Sequence, residues 1–141
     1  MSGLKERIEA ACTTLGYEFD YGRADFQNLN SNLDVNKTYL MLDPIRRKVV
    51  RGGTGSVRGY VYRGHFMLLR KSSLDEVYSG AEDAKYEKHI SPLYTALDAL
   101  DLNLLGCSLD YQTEFESTEI VNVFSENMDG LVVNYTITHW I

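Results

Sequence analysis

The final segment of the chain, MDGLVVNYTITHWI, alternates with a period of two. Leu131, Val133, Tyr135 and Ile137 fall on one side, and Asn134, Thr136, Thr138 and Trp140 on the other. Alternation of that kind marks a strand with one buried face. A second stretch, LDYQTEFES, repeats it: Leu109, Tyr111, Thr113 and Phe115 oppose Asp110, Gln112, Glu114 and Glu116, giving a strand with an acidic outer face. Between them SENMDG predicts a turn, with Asp129–Gly130 as its hairpin signal. Half-buried strands need a cover for their apolar side.

Two amphipathic stripes can supply it. Leu4, Ile8, Ala11, Cys12 and Leu15 lie on one face of a helix, with Ser2 as the predicted N-cap and Gly16 as the C-terminal stop. Leu93, Tyr94, Leu97 and Leu100, with Ile90 just ahead, define the second helix. Ser91–Pro92 is either its N-cap and first residue or a kink, because an interior proline removes a hydrogen bond. Upstream, Ser73 and Glu76 match a capping box.

The segment from Tyr17 to Lys37 predicts a long irregular connection, since its Asn, Asp and Ser residues favour turns. TYLMLD is a short strand ended by Pro44, and RGGTGS is a flexible turn between two strand arms. In the second arm Val61, Arg63, His65, Met67 and Leu69 share one face. Tyr60, Tyr62, Phe66, Leu68 and Arg70 share the other. The expected fold is α+β in a single domain, 1–141. A mostly antiparallel sheet carries two main helices on one face, in helix–β-hairpin–helix–β-hairpin order, with a basic hairpin projecting at about 44–71.

Composition matters here chiefly through charge. Arg46, Arg47, Lys48, Arg51, Arg58, Arg63, Arg70 and Lys71 lie between 46 and 71 with no Asp or Glu among them. The remainder has 6 Lys and Arg against 20 Asp and Glu, although the net charge is only −6. The chain is therefore bipolar along its length.

Catalytic patterns fare poorly. RGGTGSVRG lacks the Gly-Lys-Ser/Thr step into a helix that a phosphate loop needs, and GGTGSVRG lacks the third glycine of a dinucleotide fingerprint. Cys12 sits on an apolar stripe, where a thiol is inert. Cys12 and Cys107 have no metal or redox spacing; free buried thiols are expected, with a disulfide between them as the alternative. His65, His89 and His139 are scattered, and Asp110, Glu114 and Glu116 suit a solvated face better than an acid–base pair. No catalytic, cofactor or metal residue is expected, and neither the segment MSGLKERIEAAC nor any apolar run predicts a leader peptide or a membrane span.

With catalysis set aside, the eight cations interleaved with Tyr60, Tyr62 and Phe66 suit phosphates and stacked bases, an acidic neighbouring surface, or simply a solvated hairpin. A subunit basic at one part and acidic at another is also self-complementary head to tail, and such contacts close into rings. The element order, YEKHISPLYTALDAL followed by DYQTEFES, and the ending NMDGLVVNYTITHWI resemble the tail-terminator and tail-completion (head–tail neck) proteins of tailed bacteriophages. The likeness is architectural, spans most of the chain and carries over no functional residue. The Asn-rich loop at 26–37 departs from it.

The resemblance implies a non-enzymatic virion protein made in the host cytoplasm, a homo-oligomeric ring, commonly of six. It would sit in the neck or tail beside a portal-side adaptor and tail tube, around a channel through which DNA passes. Arg46, Arg47, Lys48, Arg51, Arg58 and Arg63 are the expected subunit-interface or DNA-facing residues. Trp140 and Ile141 are candidate interface anchors if their strand lies near a sheet edge; the alternative is a tryptophan covering the domain's own helix. A small nucleic-acid-binding α+β module using the same basic hairpin is the competing expectation.

Overall fold

The computed structural model describes residues 3–22, 37–71, 86–106, 111–123 and 128–141. The predicted capping box at Ser73–Glu76, the Asn-rich stretch before Lys37, Cys107 and Asp110 lie outside them.

Helix α1, Leu4–Leu15, buries Leu4, Ile8, Ala11 and Cys12, which is the predicted stripe. Its N-cap is Gly3, which has no side chain to bond the first turn, and not Ser2. Gly16 ends the helix in the left-handed region at φ 81°, where a residue without Cβ pays no steric cost. That geometry lets the Tyr17 amide donate to the Cys12 carbonyl at 2.8 Å.

Strand β1, Glu18–Tyr21, follows where an irregular connection was expected. Four residues are too few for periodicity to reveal, and β1 owes its existence to a partner distant in sequence. It pairs in parallel with β2, Tyr39–Leu42. Strand β3, Arg46–Arg51, then continues along the same side of β4, Val57–Lys71. β2 takes Phe66–Leu69 of β4, and β3 takes Val57 to Arg63. Pro44 separates the two because it cannot donate to the ladder. On its other side β4 is paired with β6, Met128–Trp140, from Gly59 to Lys71. The basic arm is consequently built into the sheet and does not project; only the turn at 52–56 lies beyond the ladder.

A π-helical turn, Tyr86–Ile90, runs directly into helix α2, Ser91–Gly106. The widened turn sits just ahead of Pro92, whose ring would otherwise collide with the carbonyl four residues back. Ser91–Pro92 thus lies within a continuous helical segment. β5, Tyr111–Val123, pairs antiparallel with β6.

The fold is α+β, with a six-stranded, mostly antiparallel sheet ordered β1-β2-β4-β6-β5 and β3 beside β4. One pair is parallel and four strands separate the two helices, which departs from the expected helix–β-hairpin–helix–β-hairpin order. The main core joins Leu4, Ile8, Leu93, Leu97 and Leu100 of the helices to Leu40, Tyr62, Phe66, Leu68, Leu131, Val133 and Ile137 of the sheet. On the opposite face Met41, Met67, Leu69 and Met128 form a second, smaller cluster. The predicted division of faces along β4 and β6 therefore holds.

Asp129–Gly130 is not a turn. Both residues lie within β6, opposite Arg70 and Leu69. A Cβ on Gly130 would stand 2.0 Å from the Leu68 carbonyl oxygen, so this glycine permits close passage of two backbones.

Candidate assembly surface

In an antiparallel ladder directly opposed residues point to the same face. Arg46 opposes Arg63, and Lys48 opposes Val61. Carried across β6 and β5, the register continues Arg46–Arg63–Thr136–Glu114, then Lys48–Val61–Thr138–Gln112. A third row holds His65, Asn134 and Glu116. All three rows are on the face away from the helices, since Tyr62, Phe66, Val133 and Tyr135 occupy the alternate positions. This part of the sheet is a graded surface, with cations over β3 and β4, hydroxyl and amide groups over β6, and carboxylates over β5.

Arg46, Arg47, Lys48, Arg51, Arg58 and Arg63 lie at the β3–β4 margin and are exposed, though not all on one face; Arg70 and Lys71 lie at the far end of β4, half-buried, opposite Asp129 and Met128. Arg46, Arg47, Lys48, Val61 and Arg63 line a recess of about 180 Å³. Arg47, opposite Tyr62, stacks its guanidinium 4.7 Å from the Tyr60 ring. Arg51 donates to the Gly55 carbonyl at 3.0 Å, and Arg58 packs over Gly52 at the turn. None of Arg46, Lys48 and Arg63 has a carboxylate partner among the described residues. Like charges directly opposed across strands destabilise a sheet, so the Arg46–Arg63 pair is not there to hold the fold together.

At the other margin β5 carries Glu114, Glu116 and Glu119 and no Lys or Arg. Glu114 and Glu116 are exposed and border a recess of about 270 Å³ with Asn134 and Thr136. Glu119, on the helix side, accepts hydrogen bonds from the Tyr86 and Tyr94 hydroxyls. The bond to Glu119 is the main reason the Tyr94 hydroxyl is pushed up to about 12. Thr113 donates to Asp101 of α2, fixing the same strand to the helix.

Trp140 is opposed to Gly59 in the ladder and its ring lies over that glycine, on the face away from the helices. It does not cover a helix. Nor is β6 an edge, because it lies between β4 and β5. Trp140 remains 39% exposed, and Ile141, 68% exposed, bonds through its amide to the Arg58 carbonyl at 2.9 Å. Both are exposed at the basic margin, at the end of a central strand.

Groups capable of chemistry are dispersed. Burial pushes the Cys12 thiol up to about 12, with Glu9 adding to the effect. His65 contacts buried Asp43 through Nε2. His139 stacks on Tyr111 at 4.2 Å, and Arg7 lies 4.1 Å from the same Tyr111 ring. Among the described residues no three His, Cys, Asp or Glu side chains converge as metal ligands. No helix among them is long and apolar enough to cross a membrane.

Composition had located the cations; it could not show that the acids of β5 would form the opposite margin of the same sheet. That depends on the order β3-β4-β6-β5, a consequence of long-range pairing. No family model matches the chain, and no curated protein matches it.

Proposed function

We propose that this chain is a non-enzymatic structural subunit that associates head to tail with copies of itself to form a ring. The class that suits it is the neck or tail-terminator protein of a tailed-phage virion, set between a portal-side adaptor and a tail tube around the path of DNA. The observation that carries the reading is the opposite charge of two outer strands of the sheet, basic β3 against acidic β5; β1, the end strand on the β3 side, carries Glu18 and Asp20. Opposite patches on one molecule steer and register the encounter of identical copies. Patches that differ from each other make the contact heterologous, which closes into a ring when the rotation permits.

Mass photometry over a salt series tests this. Multimers at low ionic strength should dissociate as salt rises toward 1 M, where the screening length falls to about 3 Å. A monomer at every salt and protein concentration overturns the reading.

A second reading, a nucleic-acid-binding module, is favoured by Arg46, Lys48 and Arg63, which surround one recess and have no carboxylate partner among the described residues. It predicts a monomer that retards single- or double-stranded DNA with a steep inverse dependence on salt.

A further inference from the structure

On the face away from the helices, the chain's single tryptophan stands beside the cations. The row Val50–Gly59–Trp140 is followed by Lys48–Val61–Thr138 and then by Arg46–Arg63–Thr136. Alternate residues of a strand recur about every 6.8 Å. The rows therefore step from an indole to one ammonium group and on to two guanidinium groups. The Trp140 ring rests against Gly59, where a Cβ would come within 3.0 Å of its Cε3 atom, yet the residue is 39% exposed. The glycine gives the ring a seat on the sheet and leaves its remaining surface to solvent.

We infer that this strip binds a single-stranded nucleic acid, with one base stacked on Trp140 and the neighbouring phosphates on Lys48, Arg46 and Arg63. The inference deepens the nucleic-acid reading of the same recess and does not rest on head-to-tail assembly, with which it shares the cations. Arg46 and Arg63 are directly opposed and, like Lys48, have no carboxylate partner among the described residues. A phosphate between the two guanidinium groups relieves their repulsion. An exposed ring beside a cationic track suits a single strand, because every base has a π-face and the backbone carries the charge. A duplex keeps its bases stacked on one another and presents only their edges, in the grooves. An acidic protein surface supplies carboxylates to the cations but no base to the indole. Glu114 and Glu116 lie on β5, two strand spacings or about 10 Å from β4. Their charge repels phosphate and keeps the bound strand over β3 and β4.

Titration of the full chain with an oligothymidylate of about 12 nucleotides tests the assignment. It is run on the wild type and on the double variant Glu114→Gln with Glu116→Gln, whose cations have lost the acidic row of a sister copy as a competitor. Emission from Trp140, the chain's only tryptophan, should be quenched saturably. Affinity read from the anisotropy of labelled oligonucleotide should fall about a hundredfold for a tenfold rise in salt, since three phosphate contacts on a single strand give a slope near −2. Trp140→Ala should weaken binding at least about fivefold, and Trp140→Phe, which keeps a ring to stack on, should recover most of that loss. Arg63→Gln should retain the quenching and reduce the slope by about 0.7. A duplex bound as tightly as the single strand, or binding that leaves Trp140 emission unchanged, would overturn the inference while the nucleic-acid reading stands. Equal quenching by polyglutamate would also overturn it, showing a surface selective for charge alone. If neither protein binds any oligonucleotide, this inference and the nucleic-acid reading fall together, and head-to-tail assembly is untouched.

Discussion

Charge reversal at Arg63 separates folding from assembly, because under the proposed head-to-tail association that residue has opposite effects on each. Arg46 and Arg63 are directly opposed, exposed, and have no carboxylate partner among the described residues. Two unit charges about 6 Å apart in water-like surroundings repel by about 0.7 kcal/mol. Arg63→Gln removes that repulsion, and Arg63→Glu replaces it with attraction of similar size. Side-chain mobility and solvent screening reduce both, since exposed pairs typically deliver 0.2–1 kcal/mol. The expected gain is about 0.3 kcal/mol for Arg63→Gln and about 0.8 kcal/mol for Arg63→Glu, or roughly 2–3 °C in melting temperature for the latter in a domain of this size. Differential scanning fluorimetry at micromolar protein and 20 mM salt reads the shift, and repeating it at 1 M salt should remove most of it. Under the same conditions mass photometry should show Arg63→Glu less assembled than wild type. An Arg63→Glu protein less stable than Arg63→Gln at low salt would refute the reasoning, since it would mean that Arg63 holds a favourable contact in the folded subunit.

Two further predictions concern the fold. Gly130→Ala drives a methyl group into the Leu68 carbonyl and the Leu69 side chain. It should cost at least 3 kcal/mol on the scale of severe overpacking in a central strand, measured by urea denaturation; a loss under 1 kcal/mol would show that β6 and β4 separate easily there. Stability should also fall as pH rises. Cys12 is held near 12 in the folded chain against an ordinary 9.0, and Tyr94 near 12 against 10.0. Below about pH 8 both groups are protonated in both states and the stabilisation is complete; from about pH 8 to about pH 12 the unfolded chain releases protons that the native chain retains, so the melting temperature declines. Cys12→Ala should flatten the early part of that decline, and native Cys12 should react with a thiol reagent at pH 8 far more slowly than the urea-unfolded chain.

How much of this was legible in the sequence depends on the range of the interactions involved. The stripe Leu4–Ile8–Ala11–Cys12 and the alternation Leu131–Val133–Tyr135–Ile137 predicted their buried faces because local period and burial agree. Strand β1 escaped notice, since four residues show no period and its existence depends on parallel pairing with Tyr39–Leu42. Asp129–Gly130 misled because the same dipeptide that favours a tight turn also fits a strand where two backbones press together. For the candidate surface, the cations from Arg46 to Arg63 were visible as a run. Their alignment with Thr136 and Glu114 in one row, and the placement of Trp140 on a central strand, required the register of four strands.

The central claim is that opposite sheet margins attract one another from copy to copy, and complementary charge reversal tests it most directly. One variant carries Arg46→Glu and Lys48→Glu, so that the β3 and β5 rows on the face away from the helices are both acidic; the other carries Glu114→Lys and Glu116→Lys, so that both rows are basic. Mass photometry at low salt should find each variant alone monomeric and their equimolar mixture assembled to the wild-type mass distribution. Assembly of either variant alone at the wild-type level would contradict the account. So would a mixture that stays monomeric under conditions where the wild-type chain assembles.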